Sequence, residues 1–419
     1  MQLSAISRKD IIVVFVLVVF FCMLVLLGQG NYSQLFSELY KEVQDSTNQL
    51  VKKPISIFSK LDNHEKCPSV LDKMVYGYWN NKPLSKEQSL EMRTFLNDSR
   101  SQHRLPGSLQ RDDLNCGNVS FPRHLSPNIH WFRALCDPYG KTPCCYNNKC
   151  SSRPIEQCKC SNCFDMRQPP HGEYSDFIPY DIRCKIRKYN YTEACQLLDG
   201  ATLYLSGDSY IRHIYTALLL FLRNNTFDGA LKKGVSKVIH DQCTGMYMFT
   251  EKVCRLHLES DSRLKDLCGG KFKLMFNYFY SSASGAGFAN TIKRIKTATK
   301  SLVVFGVAIH DKYNTNNINK KYIEPAVKTK GKNKWPKLLW ATPHSPGILN
   351  TGPPLTIPNF ISQIDPILKK YKVPIFNTFN MTENMMSFDG NHYGLGINMW
   401  KIQILLNYIQ ELKDNGAWQ

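Results

Sequence analysis

Ala201-Thr202-Leu203-Tyr204-Leu205-Ser206-Gly207-Asp208-Ser209-Tyr210-Ile211-Arg212 (ATLYLSGDSYIR) carries the reading of the fold. Ala201–Ser206 is a short apolar run with the residues of a buried strand, and Tyr210–Leu222 follows with an apolar helical face. The turn between them is only Gly207-Asp208-Ser209. Further strands are predicted at Lys273–Tyr278, Ser301–Ile309 (SLVVFGVAI), Lys337–Ala341 (KLLWA) and Val373–Asn377 (VPIFN). Helices are predicted at Phe288–Thr299, Phe360–Tyr371 and His392–Leu412. Continuous apolar strands alternating with helices need a parallel sheet covered on both faces. The expectation is an α/β domain over 201–419, a flavodoxin-like doubly wound parallel sheet, with ligands at the carboxyl ends of its strands.

Upstream the composition changes. Residues 67–200 hold eleven of the fourteen cysteines that follow Cys22, densest from Cys136 to Cys163. That stretch has too little apolar content to fold by burial, so cross-links should define it. Cys158, Cys160 and Cys163 also have zinc-like spacing, but an oxidising compartment favours disulfides. The compartment is read from Ile11–Gly28, an uninterrupted apolar run of 18 residues after Arg8 and Lys9. At about 1.5 Å per residue such a helix spans roughly 27 Å, close to the bilayer core. The segment reads as an uncleaved signal anchor with a cytosolic tail at 1–10, a stem at 29–66 and everything beyond in the lumen. Six glycosylation sequons, at Asn31, Asn97, Asn118, Asn190, Asn224 and Asn380, agree with that side. The net charge of +19 then points to anionic membrane or acidic glycan rather than nucleic acid. With 43% hydrophobic and 12% aromatic residues the chain is globular, not disordered. The Lys-rich run 320–337 reads as a solvated basic face, with an acidic-glycan site as the alternative.

Two constellations carry chemistry. Ser209 stands where a strand feeds a helix, and first-turn amides there have no intrahelical partner. They can stabilise a developing oxyanion while the serine attacks, provided a base is near. The plain alternative is a helix N-cap at Asp208 or Ser209. The second constellation, Asp389-Gly390-Asn391-His392, precedes the last helix. An Asp three residues before a His can accept Nδ1–H of that imidazole and leave Nε2 free for a serine proton. Its plain alternative is a cap and a surface histidine. In a doubly wound sheet both loops emerge on one edge, so the two can meet.

Gly-Asp-Ser after the first strand with D-x-x-H before the last helix resembles the SGNH/GDSL hydrolase superfamily. Gly207-Asp208-Ser209-Tyr210-Ile211-Arg212 is similar to the GDSxxR form of its PC-esterase branch, which includes the trichome-birefringence-like and neurexophilin-and-PC-esterase-domain proteins and the sialate O-acetyltransferase lumenal domain. The resemblance covers roughly residues 200–419. It implies Ser209 as the acylated nucleophile, His392 as base and Asp389 as its orienting carboxylate. It implies the Ser209 amide as one oxyanion donor and Arg212 as a group for an oxyanion or an acidic substrate, beside the alternative of an ordinary surface arginine. Gly285 or Gly287 in SSASGAG would supply a further amide. The family's asparagine is missing after the strongest strand, where Gly306-Val307-Ala308-Ile309-His310-Asp311 stands, and His310 is its candidate substitute. Trp340 and His344 are candidates for an acceptor pocket, with core packing as the alternative.

The implied activity is O-acetyl transfer to glycans in the Golgi lumen through an acyl-serine, with an acetyl donor as co-substrate and no bound cofactor or metal. A carbohydrate or lipid esterase shares the same intermediate. A third reading is an inactive glycan-binding pseudoenzyme. All three triad residues are present, which argues against it, whereas the altered block at 306–311 argues for it. No motif speaks to oligomeric state.

Overall fold

The computed structural model describes residues 66–419 apart from 103, 105–106, 122–131, 161–162, 168, 251–252, 260–265 and 351–355. The tail 1–10, the expected span 11–28, the stem up to residue 65 and Asn31 lie outside the described residues. Among the described residues no helix is long and apolar enough to cross a membrane.

Strand β1 (Gly77–Asn80) precedes helix α1 (Lys86–Gln102). The small strands β2 (Cys144–Tyr146), β3 (Lys149–Ser151) and β4 (Phe164–Asp165) form one antiparallel sheet, and β5 (Asp176–Pro179) pairs with β1. After α2 (Tyr191–Leu197) the main unit runs β6 (Thr202–Gly207), α3 (Ser209–Leu222), β7 (Lys273–Tyr278), α4 (Gly285–Ile295), β8 (Ser301–Gly306) and α5 (Glu324–Lys330). It closes with β9 (Lys337–Ala341), α6 (Thr356–Lys370), β10 (Ile375–Phe376) and α7 (Leu395–Asp414).

The main sheet is parallel throughout and ordered β7-β6-β8-β9-β10, so its strands run second, first, third, fourth, fifth across it. The order reverses beside β6, the place at the carboxyl ends where sheets of this kind take their ligands. Alternate side chains explain the two faces. Leu203, Leu205, Leu274, Leu302, Val304 and Leu339 join one core with α3 and α7. Tyr204, Val303, Phe305, Leu338 and Trp340 join the other with α4, α5 and α6. Every residue of α3 except Phe221 is buried, so the helix behind Ser209 is enclosed on all sides.

The predicted strands Lys273–Tyr278 and Lys337–Ala341 match β7 and β9, and other predicted elements differ in their ends. The third strand stops at Gly306 instead of Ile309, because the chain breaks at Ala308 into a tight turn over Ile309–Asp311. The last helix starts at Leu395, which leaves His392 in the preceding loop. Its cap comes from far away in the chain, where the Glu173 carboxylate accepts Gly396 N–H at 2.7 Å.

All fourteen cysteines from Cys67 onward are paired, as 67–184, 116–145, 136–150, 144–158, 160–163, 195–268 and 243–254. Sulfurs dominate the centre of the 136–163 stretch. The wider segment also packs into the main core, through Val70, Leu71, Val75, Phe95, Leu135 and Phe177. The Cys195–Cys268 bond fixes α2 to the approach of β7 across 73 residues. Opening it with paired serines should lower stability by about 4 kcal/mol through the freed unfolded chain. The urea midpoint under oxidising conditions measures that loss.

Candidate active site

Gly207 ends β6 with its α-carbon pressed against β8. A β-carbon there would lie 2.2 Å from the Gly306 carbonyl oxygen, so the position admits only glycine. Asp208 N–H donates to that same carbonyl at 3.3 Å. The Asp208 carboxylate then caps α3, with Oδ1 accepting Tyr210 N–H at 3.0 Å. This leaves Ser209 as the first helical residue, recessed and only 6% exposed.

The second loop is built around Asp389. Its Oδ1 accepts the amides of Asn391 at 3.0 Å and His392 at 2.8 Å. Its Oδ2 sits 2.7 Å from His392 Nδ1. Gly390 turns the chain at φ 89°, and Phe388 N–H closes the loop on the His392 carbonyl at 3.2 Å. The carboxylate therefore holds the proton on Nδ1, and Nε2 accepts the Ser209 hydroxyl at 2.7 Å. Hydroxyl, imidazole and carboxylate form one continuous chain across two loops from opposite ends of the domain. The His392 ring is fixed from its sides by Tyr210 at 5.6 Å, His213 at 5.0 Å and Phe388 at 6.2 Å. Burial pushes His213 well below its usual value, with the His392 and Arg212 charges adding to it, so it stands beside His392 as a neutral ring.

The other expected residues divide. Arg212 is 5% exposed and its guanidinium lies over the Tyr278 ring at 5.7 Å, so it belongs to the wall of the site and not to an open helix surface. His310 is exposed at the rim, edge-on to Tyr280 at 5.5 Å. Burial lowers its pKa, and the His392 charge contributes to the lowering, which places His310 within electrostatic reach of that ring.

Gly285 is not an oxyanion donor. Its amide already donates to the Ser282 carbonyl, and a β-carbon would fall 1.6 Å from the Lys321 carbonyl oxygen, so it serves the close packing of α4. Gly287 packs against the Phe279 ring, and among the described residues no contact ties it to Ser209. Trp340 and His344 do not line an acceptor pocket, because both are fully buried. β9 is covered on both faces, and Trp340, one residue before its end, packs edge-on to Phe305 at 5.3 Å. His344 stacks on Tyr210 at 4.3 Å, with Nε2 2.6 Å from the buried Lys401 Nζ. Burial lowers both Lys401 and His344 well below their usual values, and the Lys401 charge adds to the lowering of His344. Of the sequons, Asn97, Asn118, Asn190 and Asn224 are exposed. The Asn380 Nδ2 is enclosed, which leaves no room for a glycan on the folded chain. The cysteine groups dense enough to hold a metal, Cys116/Cys136/Cys145 and Cys144/Cys158/Cys163, are joined in disulfides.

The sequence reading passed over His213, although its place four residues after Ser209 puts it on the same helix face. It also passed over the aromatic rim at Tyr278 and Tyr280; Asp208, read as a possible N-cap, is the cap, and it is buried. Burial raises the Asp208 carboxyl from 3.8 to about 7, against the Tyr210 amide that favours its ionised form. Its folded value lies above its unfolded one, so stability falls as pH rises from 3.8 to about 7. Asp208→Asn keeps a cap acceptor and removes that slope. Its thermal midpoint should exceed wild type at about pH 8 and converge with it toward about pH 4.

No protein-family model matches the chain, and no curated protein matches it. Among solved structures, the crystal structure of the lipase/acylhydrolase from Enterococcus faecalis is similar to 51% of this chain and 96% of that one. Identity is 14% and the TM-score is 0.27, too slight a likeness to bear on the assignment.

Proposed function

We propose that the protein is an ester-acting serine enzyme of the SGNH type, and that it transfers acetyl groups to glycan hydroxyls through an acyl-serine. One observation carries the reading: Ser209 Oγ and His392 Nε2 lie 2.7 Å apart, with Asp389 behind the imidazole at 2.7 Å. In the proposed mechanism Ser209 Oγ attacks the acyl carbonyl while His392 takes its proton. Asp389 stays ionised and stabilises the imidazolium. The oxyanion lies over the first turn of α3, where the Ser209 amide has no intrahelical acceptor. His392 returns its proton to the leaving alkoxide, and the acyl group stays on Ser209. An acceptor hydroxyl, deprotonated in turn by His392, removes it. Water in place of that hydroxyl makes the same site an esterase. The apolar run 11–28 and the four exposed sequons support a lumenal enzyme with a single-pass type II anchor in the Golgi or another secretory membrane.

The test is covalent labelling of the full chain with a fluorophosphonate. Rapid labelling that disappears in Ser209→Ala supports the reading. Equal labelling of wild type and Ser209→Ala, or none at all, refutes it.

A further inference from the structure

The strand order sets β7 and β8 on either side of β6, and the carboxyl end of β6 carries Ser209. The loops that leave β7 and β8 join across that end. Ser282 donates its amide to Asp311 Oδ2 at 2.8 Å and its hydroxyl to Oδ1 of the same carboxylate. Tyr280 and His310 meet edge to face at 5.5 Å over the same gap. Tyr278 lies level with Gly207 in the ladder, and the next amide, Phe279 N–H, donates to the Gly207 carbonyl at 3.0 Å. The rim is thus within two residues of the nucleophile along the sheet.

Tyr278 and Tyr280 are 47% and 49% exposed, whereas Tyr210 and Trp340 near the same sheet end are buried. Their rings are not loose. Tyr215 stacks on Phe276 at 5.1 Å, Phe276 meets Tyr278 at 6.2 Å, and Tyr278 meets Tyr280 at 6.1 Å. This row runs from the core to solvent, and Arg212 holds Tyr278 from the side of α3. Rigid ring faces offer stacking area at little entropic cost. Serine hydroxyls, the Asp311 carboxylate and the His310 imidazole border them. An apolar acyl tail would press against the polar His310 imidazole and the Ser282–Asp311 pair without bonding to either, whereas a sugar ring has C–H faces for the tyrosines and hydroxyls for the border.

We infer that Tyr278 and Tyr280 form the subsite that seats the sugar ring bearing the reacting oxygen, with His310 at its edge. The inference rests on Ser209 being the nucleophile. The test uses the full chain in detergent with p-nitrophenyl acetate and with O-acetylated glucose, xylose and N-acetylneuraminic acid. Wild type should deacetylate at least one sugar ester with a higher kcat/KM than the aryl ester. Tyr280→Ala should lower kcat/KM for that sugar ester about tenfold relative to p-nitrophenyl acetate, mainly through KM. Tyr280→Trp, which keeps a stacking face, should restore most of it. If no sugar ester exceeds the aryl ester, or Tyr280→Ala slows both classes alike, the subsite is wrong. A failure of the nucleophile reading shows separately, as absence of fluorophosphonate labelling in wild type.

Discussion

His392→Ala should slow acylation of Ser209 by p-nitrophenyl acetate roughly 10⁵–10⁶-fold, because among the described residues no other base lies in hydrogen-bond reach of the hydroxyl. His213 is the nearest other imidazole, its ring 5.0 Å from that of His392, but it is packed edge-on to Phe249 at 5.4 Å. Asp389→Asn should cost about 10⁴-fold for a different reason. The asparagine oxygen can still accept the Asn391 and His392 amides, so the loop keeps its shape. Its NH₂ then faces His392 Nδ1 and drives the proton to Nε2, where a base is needed. Stopped-flow bursts measure both effects, and thermal midpoints near wild type show that the fold survives. More than a tenth of wild-type acylation in either variant would contradict the assignment of the base.

A large joint loss of stability and chemistry is expected at Gly207→Ala. The added carbon meets the Gly306 carbonyl oxygen at 2.2 Å and Ile211 Cγ1 at 2.5 Å. The first contact is backbone, which cannot swing aside without parting β6 from β8. Overpacking of this kind costs about 3 kcal/mol, and here the displaced residue adjoins the nucleophile. Acylation should fall with stability, because Asp208 and Ser209 move with the strand end. The urea midpoint and the burst amplitude read the two losses separately. Gly200→Ala offers a contrast, since nothing lies within 4 Å of its added carbon and only its φ of +70° is strained.

The strands were legible because both faces of the sheet are buried, which writes each one as a continuous apolar run. Ser209, Asp389 and His392 were legible because each constellation is local and only their meeting is not. The start of α7 was misplaced by three residues because Gly394 begins it without a capping side chain. Glu173, 223 positions away, supplies the partner instead. Trp340 and His344 were read toward a pocket because their strand ends on the correct edge. Position along a strand says nothing of depth, and both faces of β9 turn out to be covered. Gly285 was read as a donor, yet a glycine permits close approach as readily as it offers an amide, and here the approach of α4 to Lys321 decides its presence. The cysteine pairing depends on contacts as remote as 67 with 184, which no spacing encodes.

The loop that carries the base is clamped by the disulfide-linked segment. Pro170 accepts the Met386 amide at 2.7 Å, Trp79 donates to the Met381 carbonyl at 2.9 Å, and Phe95 abuts Phe388 at 5.7 Å. The cross-links of one half of the chain therefore support the loop that carries Asp389 and His392 in the other. In the proposed enzyme, a newly made chain should hold the His392 loop in place only after its cysteines are oxidised. Activity itself becomes a readout of maturation, and a reductant that never touches Ser209 should silence it.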